Sequence, residues 1–269
     1  MYKMVVMDMD DTLLRVDHTI SEDTKAAIEK AQQMGVKIVL ASGRPTYAMK
    51  KFALELGLDK YNSHLISFNG ANIVECATEN LLFKQSLSME NAHKLYDISK
   101  KHALFIHTYL GDTIVTEENN EYTEIEKEIT GMEIHIVDEF KKTVDRDVTK
   151  VLMLEEPEKL KKAADIISKE MSDILSVTIS KPFFLEFMDK GIDKAATLEK
   201  LINMLGIKRE EVIAIGDSYN DMSMIQFAGL GVSMSNGKPE VKEVADYITG
   251  SHMEDGIVHV FDKFIFNKI

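Results

Sequence analysis

The sequence has little cysteine, a deficit of positive charge and no long apolar run. Its 269 residues include one cysteine, Cys76, which excludes an intramolecular disulfide and a zinc site built from several cysteines. No apolar run approaches the ~20 residues that a membrane-spanning helix requires. Lysine and arginine number 32 against 45 acidic residues, which gives a formal net charge of −13. A chain this acidic is a poor candidate for binding nucleic acid or an anionic membrane surface.

The remaining composition is that of a folded protein. Hydrophobic residues make up 45% of the chain and charged residues 29%, so disorder through low hydrophobicity is excluded. The first residues are Met-Tyr-Lys and an acid follows by Asp8, which is not the pattern of a secretory signal peptide. A lone thiol fits a reducing compartment. We therefore expect a soluble, cytoplasmic protein of one large domain or two modest ones.

Short apolar runs alternate with helical patterns in the first and last thirds of the chain. Ser21 can cap a helix over 21–34 that Gly35 closes, and Pro45 suits the first turn of the next helix. Continuous apolar strands separated by helices are typical of a parallel sheet that is covered on both faces. An α/β fold is therefore predicted. Its sheet strands are expected at 2–7, 36–41, 65–68, 212–215, 230–234 and 247–249.

The middle of the chain has a different pattern. Helices are predicted over 89–102, 121–129 and 157–171, and alternating strands lie between them. This pattern indicates a second unit, residues 84–188, inserted into a first unit formed by 1–83 and 189–269.

Two aspartates one residue apart follow the first predicted strand, in the segment Asp8-Met9-Asp10. Ligands bind beyond the carboxyl ends of the strands in an open parallel sheet. Two neighbouring acids crowd negative charge, which a cation or a proton relieves. A divalent cation could hold Asp8 as an ionised nucleophile, and a retained proton would make Asp10 a general acid. A solvated acidic turn is the alternative interpretation.

The segment Ser42-Gly43-Arg44 follows the second predicted strand and opens a helix. A small hydroxyl and a glycine at a helix N-terminus can cradle a phosphate, because backbone N–H groups point outward and glycine lets the anion approach. The same residues would also serve as an ordinary helix cap.

The third and fourth motifs lie near the end of the chain. Lys194 opens a predicted helix, where most lysines are simply solvated. Asp217, Asn220 and Asp221 follow the glycine that ends another apolar strand. Magnesium prefers a few carboxylates together with waters, so this segment suits Mg²⁺. A polar loop with Asp221 as a helix cap is the alternative.

Together the four motifs resemble those of the haloacid dehalogenase (HAD) superfamily of phosphatases, which run Asp-x-Asp, Ser/Thr, Lys and Gly-Asp-x-x-x-Asp. The resemblance covers the whole chain. The long insert between the second and third motifs, the turn Phe68-Asn69-Gly70-Ala71 and the segment Gly191-Ile192-Asp193-Lys194 are similar to those of Cof-type hydrolases. The resemblance implies a Rossmann-like HAD core of 1–83 and 189–269. It also implies that 84–188 is an inserted α+β cap that sets substrate specificity.

The same resemblance implies a role for each matching residue. Asp8 would attack phosphorus, and Asp10 would protonate the leaving alcohol and later deprotonate water. Mg²⁺ would bind Asp8, the backbone carbonyl of Asp10 and Asp217, with Asp221 in support. The phosphoryl oxygens would be held by the backbone N–H groups of Met9 and Gly43 and by the side chains of Ser42, Lys194 and Asn220. Arg44 and Asn69 are further candidates for substrate contact, although Arg44 could equally clamp a loop.

The implied activity is Mg²⁺-dependent hydrolysis of small phosphorylated metabolites, above all sugar phosphates, through an aspartyl-phosphate intermediate. A phosphotransferase or mutase on the same scaffold is one alternative, and a non-catalytic sugar-phosphate sensor is another. The expected partner is a small phosphorylated metabolite, with no nucleic acid and no membrane. The sequence sets neither the particular metabolite nor the oligomeric state.

Overall fold

The chain forms two compact units in a computed structural model, which describes residues 2–267. One unit takes the described residues up to Phe83 and from Asp193 onward, and the other is the continuous segment Lys84–Ile192. The strands are β1 (Met4–Met7), β2 (Lys37–Ala41), β3 (His64–Ser67), β4 (Asn72–Glu75), β5 (Leu81–Lys84), β6 (Phe105–Leu110), β7 (Thr113–Thr116), β8 (Glu133–Ile136), β9 (Val151–Leu154), β10 (Leu175–Lys181), β11 (Phe184–Asp189), β12 (Val212–Gly216), β13 (Leu230–Ser233) and β14 (Tyr247–Ile248). The α-helices are α1 (Glu22–Gln33), α2 (Thr46–Glu55), α3 (Met89–Lys101), α4 (Glu121–Thr130), α5 (Phe140–Thr143), α6 (Pro157–Met171), α7 (Lys194–Leu205), α8 (Met222–Phe227), α9 (Pro239–Val244) and α10 (Gly256–Val260), and a π-helix follows over Phe261–Ile265.

The first unit is built on an eight-stranded sheet in the order β14-β13-β12-β1-β2-β3-β4-β5. Strand β1 lies between β12 and β2 and pairs in parallel with both, so that Val6 aligns with Ala214 and with Val39. The parallel pairing continues to β13 and β14 on one side and to β3 on the other. Strand β4 reverses direction and pairs antiparallel with β3. The predicted α/β fold with a parallel sheet is confirmed.

Apolar side chains project from both faces of this sheet. Val5 and Met7 belong to a cluster with residues of α1, α2 and α10, whereas Met4 and Val6 belong to a second cluster with residues of α7 and α8. Side chains of successive strand residues point to opposite faces, so a strand covered on both faces must be apolar throughout. All four residues of β1 are fully buried.

The three central strands bring the predicted motifs to one edge of the sheet. Asp8 follows the carboxyl end of β1, Ser42 follows β2 and Asp217 follows β12. Because these strands are parallel neighbours, their carboxyl ends meet. The backbone N–H of Asp8 still donates to the carbonyl of Ile215, at 3.0 Å, and so extends the ladder to the first motif residue.

The second unit has its own six-stranded sheet, in the order β10-β11-β9-β6-β7-β8. Its strand pairs are antiparallel except for β7 with β8. An apolar cluster that includes residues of α3, α5 and α6 packs with this sheet. Residues 189–192 fall in this unit, although the sequence placed them in the first, because β11 continues to Asp189, which pairs with Leu175.

Most predicted helices form within a residue or two of their expected ends. Pro45 is the N-cap of α2 and not its first residue, and a 3-10 turn over Tyr219–Asp221 precedes α8. Strands β4 and β5 were not among the strands predicted with bounds. Among residues 2–267, none of the helices is both long and apolar enough to cross a membrane.

Candidate active site

Three buried aspartates and one buried lysine meet at the carboxyl edge of the first unit's sheet. One carboxylate oxygen from each of Asp8, Asp217 and Asp221 lies within 4.8 Å of the other two. The ammonium group of Lys194 donates to Oδ1 of Asp8 at 2.5 Å and to Oδ1 of Asp221 at 2.6 Å. Asp221 is 0% exposed and Lys194 is 1% exposed. The structure therefore unites the predicted first, third and fourth motifs.

This group of charges perturbs the pKa values of its members. Burial, with the neighbouring carboxylate of Asp221, raises the pKa of Asp8 well above its ordinary value, even though Lys194 acts in the opposite direction. Burial also raises the pKa of Asp217. Burial alone would lower the pKa of Lys194, but the carboxylates of Asp221 and Asp8 outweigh it and raise that pKa. The single ammonium thus leaves the negative charge of the cluster only partly compensated.

Hydrogen bonds fix the two aspartates that come from the loop after β12. Thr12 donates from its hydroxyl to Oδ1 of Asp217 at 2.7 Å, and Ser218 donates to Oδ2 at the same distance. Oδ2 of Asp221 accepts the backbone N–H groups of Asp217, at 3.1 Å, and Ser218, at 3.0 Å. A β-carbon at Gly216 would lie 2.5 Å from the Cβ of Asp221, so glycine is required for this close approach.

The donor set suits a hard divalent cation. Carboxylate oxygens are the ligands that Mg²⁺ takes in proteins, and the excess of negative charge over the one ammonium is what such an ion would balance. Asp8, Asp217 and Asp221 present oxygens close enough together to serve one ion. The side chain of Asp10 is not part of this group.

The loop after β2 is held against an unusual turn. The hydroxyl of Ser42 accepts the backbone N–H of Arg44 at 3.1 Å, and the carbonyl of Ser42 accepts the N–H of Asn69 at 2.9 Å. Phe68 and Asn69 both have left-handed backbone angles, with φ of 51° and 54°. Such angles are costly for a residue as bulky as Phe68 and are commonest at functional sites.

That turn carries the Asn69 side chain to two predicted phosphate-binding residues. The side-chain amide of Asn220 donates to Oδ1 of Asn69 at 2.9 Å. A β-carbon at Gly43 would lie 3.2 Å from the same Oδ1, so the absence of a side chain there makes room for Asn69. Asn69, Asn220 and Gly43 therefore form one polar group.

The carboxylate of Asp10 is bound by Arg44. The guanidinium donates from Nε to Oδ2 of Asp10 at 2.8 Å and from Nη2 to Oδ1 at 2.6 Å. The Nδ1 atom of His18 lies 3.9 Å from Oδ1 of Asp10 and 3.5 Å from Nη2 of Arg44. These contacts fit a loop clamp, one of the two roles predicted for Arg44.

Three residues beside the motif aspartates were not identified from the sequence. Thr12 and Ser218, which hold Asp217, and His18, which lies beside Asp10, were not singled out. Only Thr12 and Ser218 lay next to a motif, where a hydroxyl beside a carboxylate could have drawn attention. The side chain of Met9 is fully buried in the apolar cluster, so only its backbone is available to a ligand.

Comparison with known proteins places this architecture among characterised folds. Residues 5–261 match the haloacid dehalogenase-like hydrolase family. YcsE of Bacillus subtilis (strain 168), a 5-amino-6-(5-phospho-D-ribitylamino)uracil phosphatase, is 34% identical over 263 residues that cover 98% of this chain and 96% of YcsE. The crystal structure of a haloacid dehalogenase-like hydrolase from Bacteroides thetaiotaomicron is 36% identical and has a TM-score of 0.94, covering 98% of this chain and 100% of that chain. The structure of BT4131, a HAD subclass IIB sugar phosphatase, is 26% identical with a TM-score of 0.82, covering 97% of this chain and 98% of that chain.

Proposed function

This chain belongs to the haloacid dehalogenase-like hydrolase family, and we propose that it is a magnesium-dependent phosphatase of small phosphorylated metabolites, above all sugar phosphates. The family match and the phosphatase relatives make it an enzyme of the phosphatase type. The metal ion, the substrate class and the residue roles are the parts that we propose. The observation that carries the proposal is the buried cluster in which Lys194 bridges Asp8 and Asp221 beside Asp217.

In the first step, a carboxylate oxygen of Asp8 attacks phosphorus. The bond between that oxygen and phosphorus forms while the bond from phosphorus to the leaving alcohol breaks, and Asp10 gives its proton to the alcohol oxygen. In the second step, a water oxygen attacks phosphorus, its proton passes to Asp10, and the bond to Asp8 breaks. The products are the alcohol and inorganic phosphate, and Asp8 and Asp10 are regenerated.

Positioning and charge neutralisation are the main requirements of phosphoryl transfer. Lys194 would place its ammonium beside the phosphoryl oxygens as well as against Asp8. The backbone N–H groups of Met9 and Gly43 and the side chains of Ser42 and Asn220 would hold the remaining oxygens. The contact of Asn69 with Asn220 supports this assignment, because it fixes the amide of Asn220 next to Gly43.

The cation would be held by Asp8, Asp217 and the backbone carbonyl of Asp10, with Asp221 orienting the loop around Asp217. When bound, Mg²⁺ supplies positive charge that offsets the negative charge of the phosphoryl group. The hydroxyls of Thr12 and Ser218 already hold one oxygen each of Asp217, and this would keep its carboxylate in place for the ion.

Substrate selection is assigned to the second unit, which the resemblance interprets as an inserted cap. The sugar phosphatase BT4131 supports sugar phosphates as the substrate class, whereas YcsE is named for another phosphorylated metabolite. We place the enzyme in the cytoplasm, which the presence of a single, free cysteine supports. No nucleic acid or membrane is expected as a partner.

Phosphate release from sugar phosphates, nucleotides and pyridoxal phosphate, with Mg²⁺ and with EDTA, tests the proposal. Release that requires Mg²⁺ and is lost in Asp8→Asn is expected. Asp11→Asn is the matched control, because Asp11 is an exposed acid of the same loop. Its backbone has a left-handed φ of 59°, which asparagine also adopts. Slow release that an acceptor sugar accelerates would indicate a phosphotransferase. Binding of a sugar phosphate without any release would indicate a sensor.

A further inference from the structure

Both oxygens of the Asp10 carboxylate accept hydrogen bonds from the forked guanidinium of Arg44. Nε and Nη2 of Arg44 each donate to a different oxygen, at 2.8 and 2.6 Å. A fork of this kind fixes the orientation of a carboxylate as well as its position, which a lysine ammonium does not. Asp10 itself is half-exposed, with 46% of its side chain accessible to solvent.

Arg44 is in turn anchored from several directions. Its side chain is only 7% exposed, and the guanidinium carbon lies 5.7 Å from the ring centroid of Phe52. Its backbone N–H donates to the hydroxyl of Ser42 at 3.1 Å, and its carbonyl accepts the N–H of Phe68 at 3.0 Å. These contacts hold the guanidinium in place within the first unit.

These contacts connect two parts of the proposed machinery. Ser42 belongs to the loop that would hold the phosphoryl group, and Arg44 is two residues further along the same loop. The strained turn at Phe68 and Asn69 bonds to both ends of this short segment. The position of the Asp10 carboxylate therefore depends on the Ser42 loop as well as on the segment that follows β1.

We propose that Arg44 is a positioning residue, which holds the Asp10 carboxylate in register with the Ser42 loop and does not bind substrate. The inference rests on the proposed function, in which Asp10 gives a proton to the leaving oxygen and later takes one from water. Such transfers need the two heavy atoms at hydrogen-bond distance, and a displacement of about 1 Å can cost about 100-fold in rate.

A kinetic double-mutant cycle between Arg44→Met and Asp10→Asn tests this. Arg44→Met is expected to lower kcat by about 10- to 100-fold and to change KM by less than about twofold. In the Asp10→Asn background the same substitution is expected to change kcat by less than about twofold, because the residue that it positions is already gone. Arg44→Lys should regain only part of the loss, since it restores the charge without the fork.

The matched control is Lys51→Met. Lys51 is an exposed cation whose Nζ lies 4.6 Å from the ring centroid of the same Phe52, and it belongs to α2, which follows the loop. Its loss should leave kcat and KM at wild-type values. A KM that rises tenfold in Arg44→Met while kcat is unchanged would show a substrate contact and overturn the proposal. So would an equal loss of kcat in the presence and in the absence of the Asp10 carboxylate.

A second cycle with the same variants uses melting temperature and needs no turnover. If the pair exists, the melting temperature should fall less on Arg44→Met in the Asp10→Asn background than in the wild type. Equal shifts in both backgrounds would overturn the pairing itself. A wild-type protein that releases no phosphate but shows coupled melting temperatures would overturn the proposed function and leave the pairing established.

Discussion

The ammonium of Lys194 lies 2.5 Å from Oδ1 of Asp8, although 186 positions separate the two residues in the sequence. Both side chains are almost completely buried, and the same ammonium also reaches Asp221. A buried charge is stable only when it is paired, so this contact ties the start of α7 to the end of β1. The chemical role proposed for Lys194 would therefore coincide with a structural one.

Removal of that ammonium should destabilise the fold. Lys194→Met leaves buried carboxylates without their counter-charge, and breaking a buried pair from one side costs about 3–5 kcal/mol. We expect a loss of this order in the free energy of unfolding, measured by urea denaturation in EDTA at neutral pH. Lys200→Met is the control, because Lys200 is an exposed lysine of the same helix. The expectation fails if both variants unfold at the wild-type urea concentration.

Divalent cations should stabilise the protein through the aspartate cluster. An ion that binds only the folded state adds about 2.7 kcal/mol at about 100 times its Kd. We expect Mg²⁺ to raise the melting temperature of the wild type and of Asp11→Asn, and to have little effect on Asp217→Asn. Calorimetric or fluorescence melts with Mg²⁺ and with EDTA provide the measurement. A Mg²⁺ shift of wild-type size in Asp217→Asn would remove Asp217 from the metal site.

The two aspartates of the first motif should be separable with an activated substrate. The nitrophenolate of 4-nitrophenyl phosphate leaves without a proton, so Asp10→Asn should still form the aspartyl-phosphate while its hydrolysis slows by about 10²–10⁴. Rapid-mixing absorbance should then show a burst of about one nitrophenol per protein. Asp8→Asn should show no burst. Turnover of that variant within tenfold of the wild type would contradict the assignment of Asp8 as the nucleophile.

The sequence was sufficient for those parts of the fold that depend on local pattern. The fully buried strand β1 is a continuous apolar run, and the hydroxyl of Ser21 caps α1 as predicted by accepting the N–H of Thr24. Motif residues that end neighbouring parallel strands had to meet, because the sheet brings those ends together. Asp8 and Asp217 were brought together in this way, whereas Lys194 opens α7 and was assigned only through the family resemblance.

Long-range partner choice could not be predicted in the same way. The hydroxyl of Thr12 bonds to Asp217 across 205 positions, and its place next to the first motif does not identify that partner. The pairing of Arg44 with Asp10 is similar, since a guanidinium has many carboxylates within reach in a chain this acidic. The left-handed angle of Phe68 is imposed by tertiary contacts against its own preference.

A buried histidine should make the second unit sensitive to acid. His107 is fully buried on β6, neither ring nitrogen has a hydrogen-bond partner, and burial together with nearby Lys150 lowers its pKa to about 3. A histidine in the unfolded chain has a pKa of about 6.5. Below that pH the unfolded chain therefore binds a proton at His107, whereas His107 in the folded chain stays neutral down to about pH 3. Stability is therefore complete above about pH 6.5 and falls from there down to about pH 3.

Urea denaturation at about pH 7.5 and pH 5 measures this effect. One group with these two pKa values loses about 2 kcal/mol between those conditions, at about 1.4 kcal/mol per unit. The wild type should lose about that much more stability than His107→Leu, which has no proton to take up and no buried polar atoms to leave unpaired. His135→Leu removes an exposed histidine of the same unit and should retain the wild-type dependence. If His107→Leu and the wild type lose equal stability, the acid sensitivity of the unit originates elsewhere.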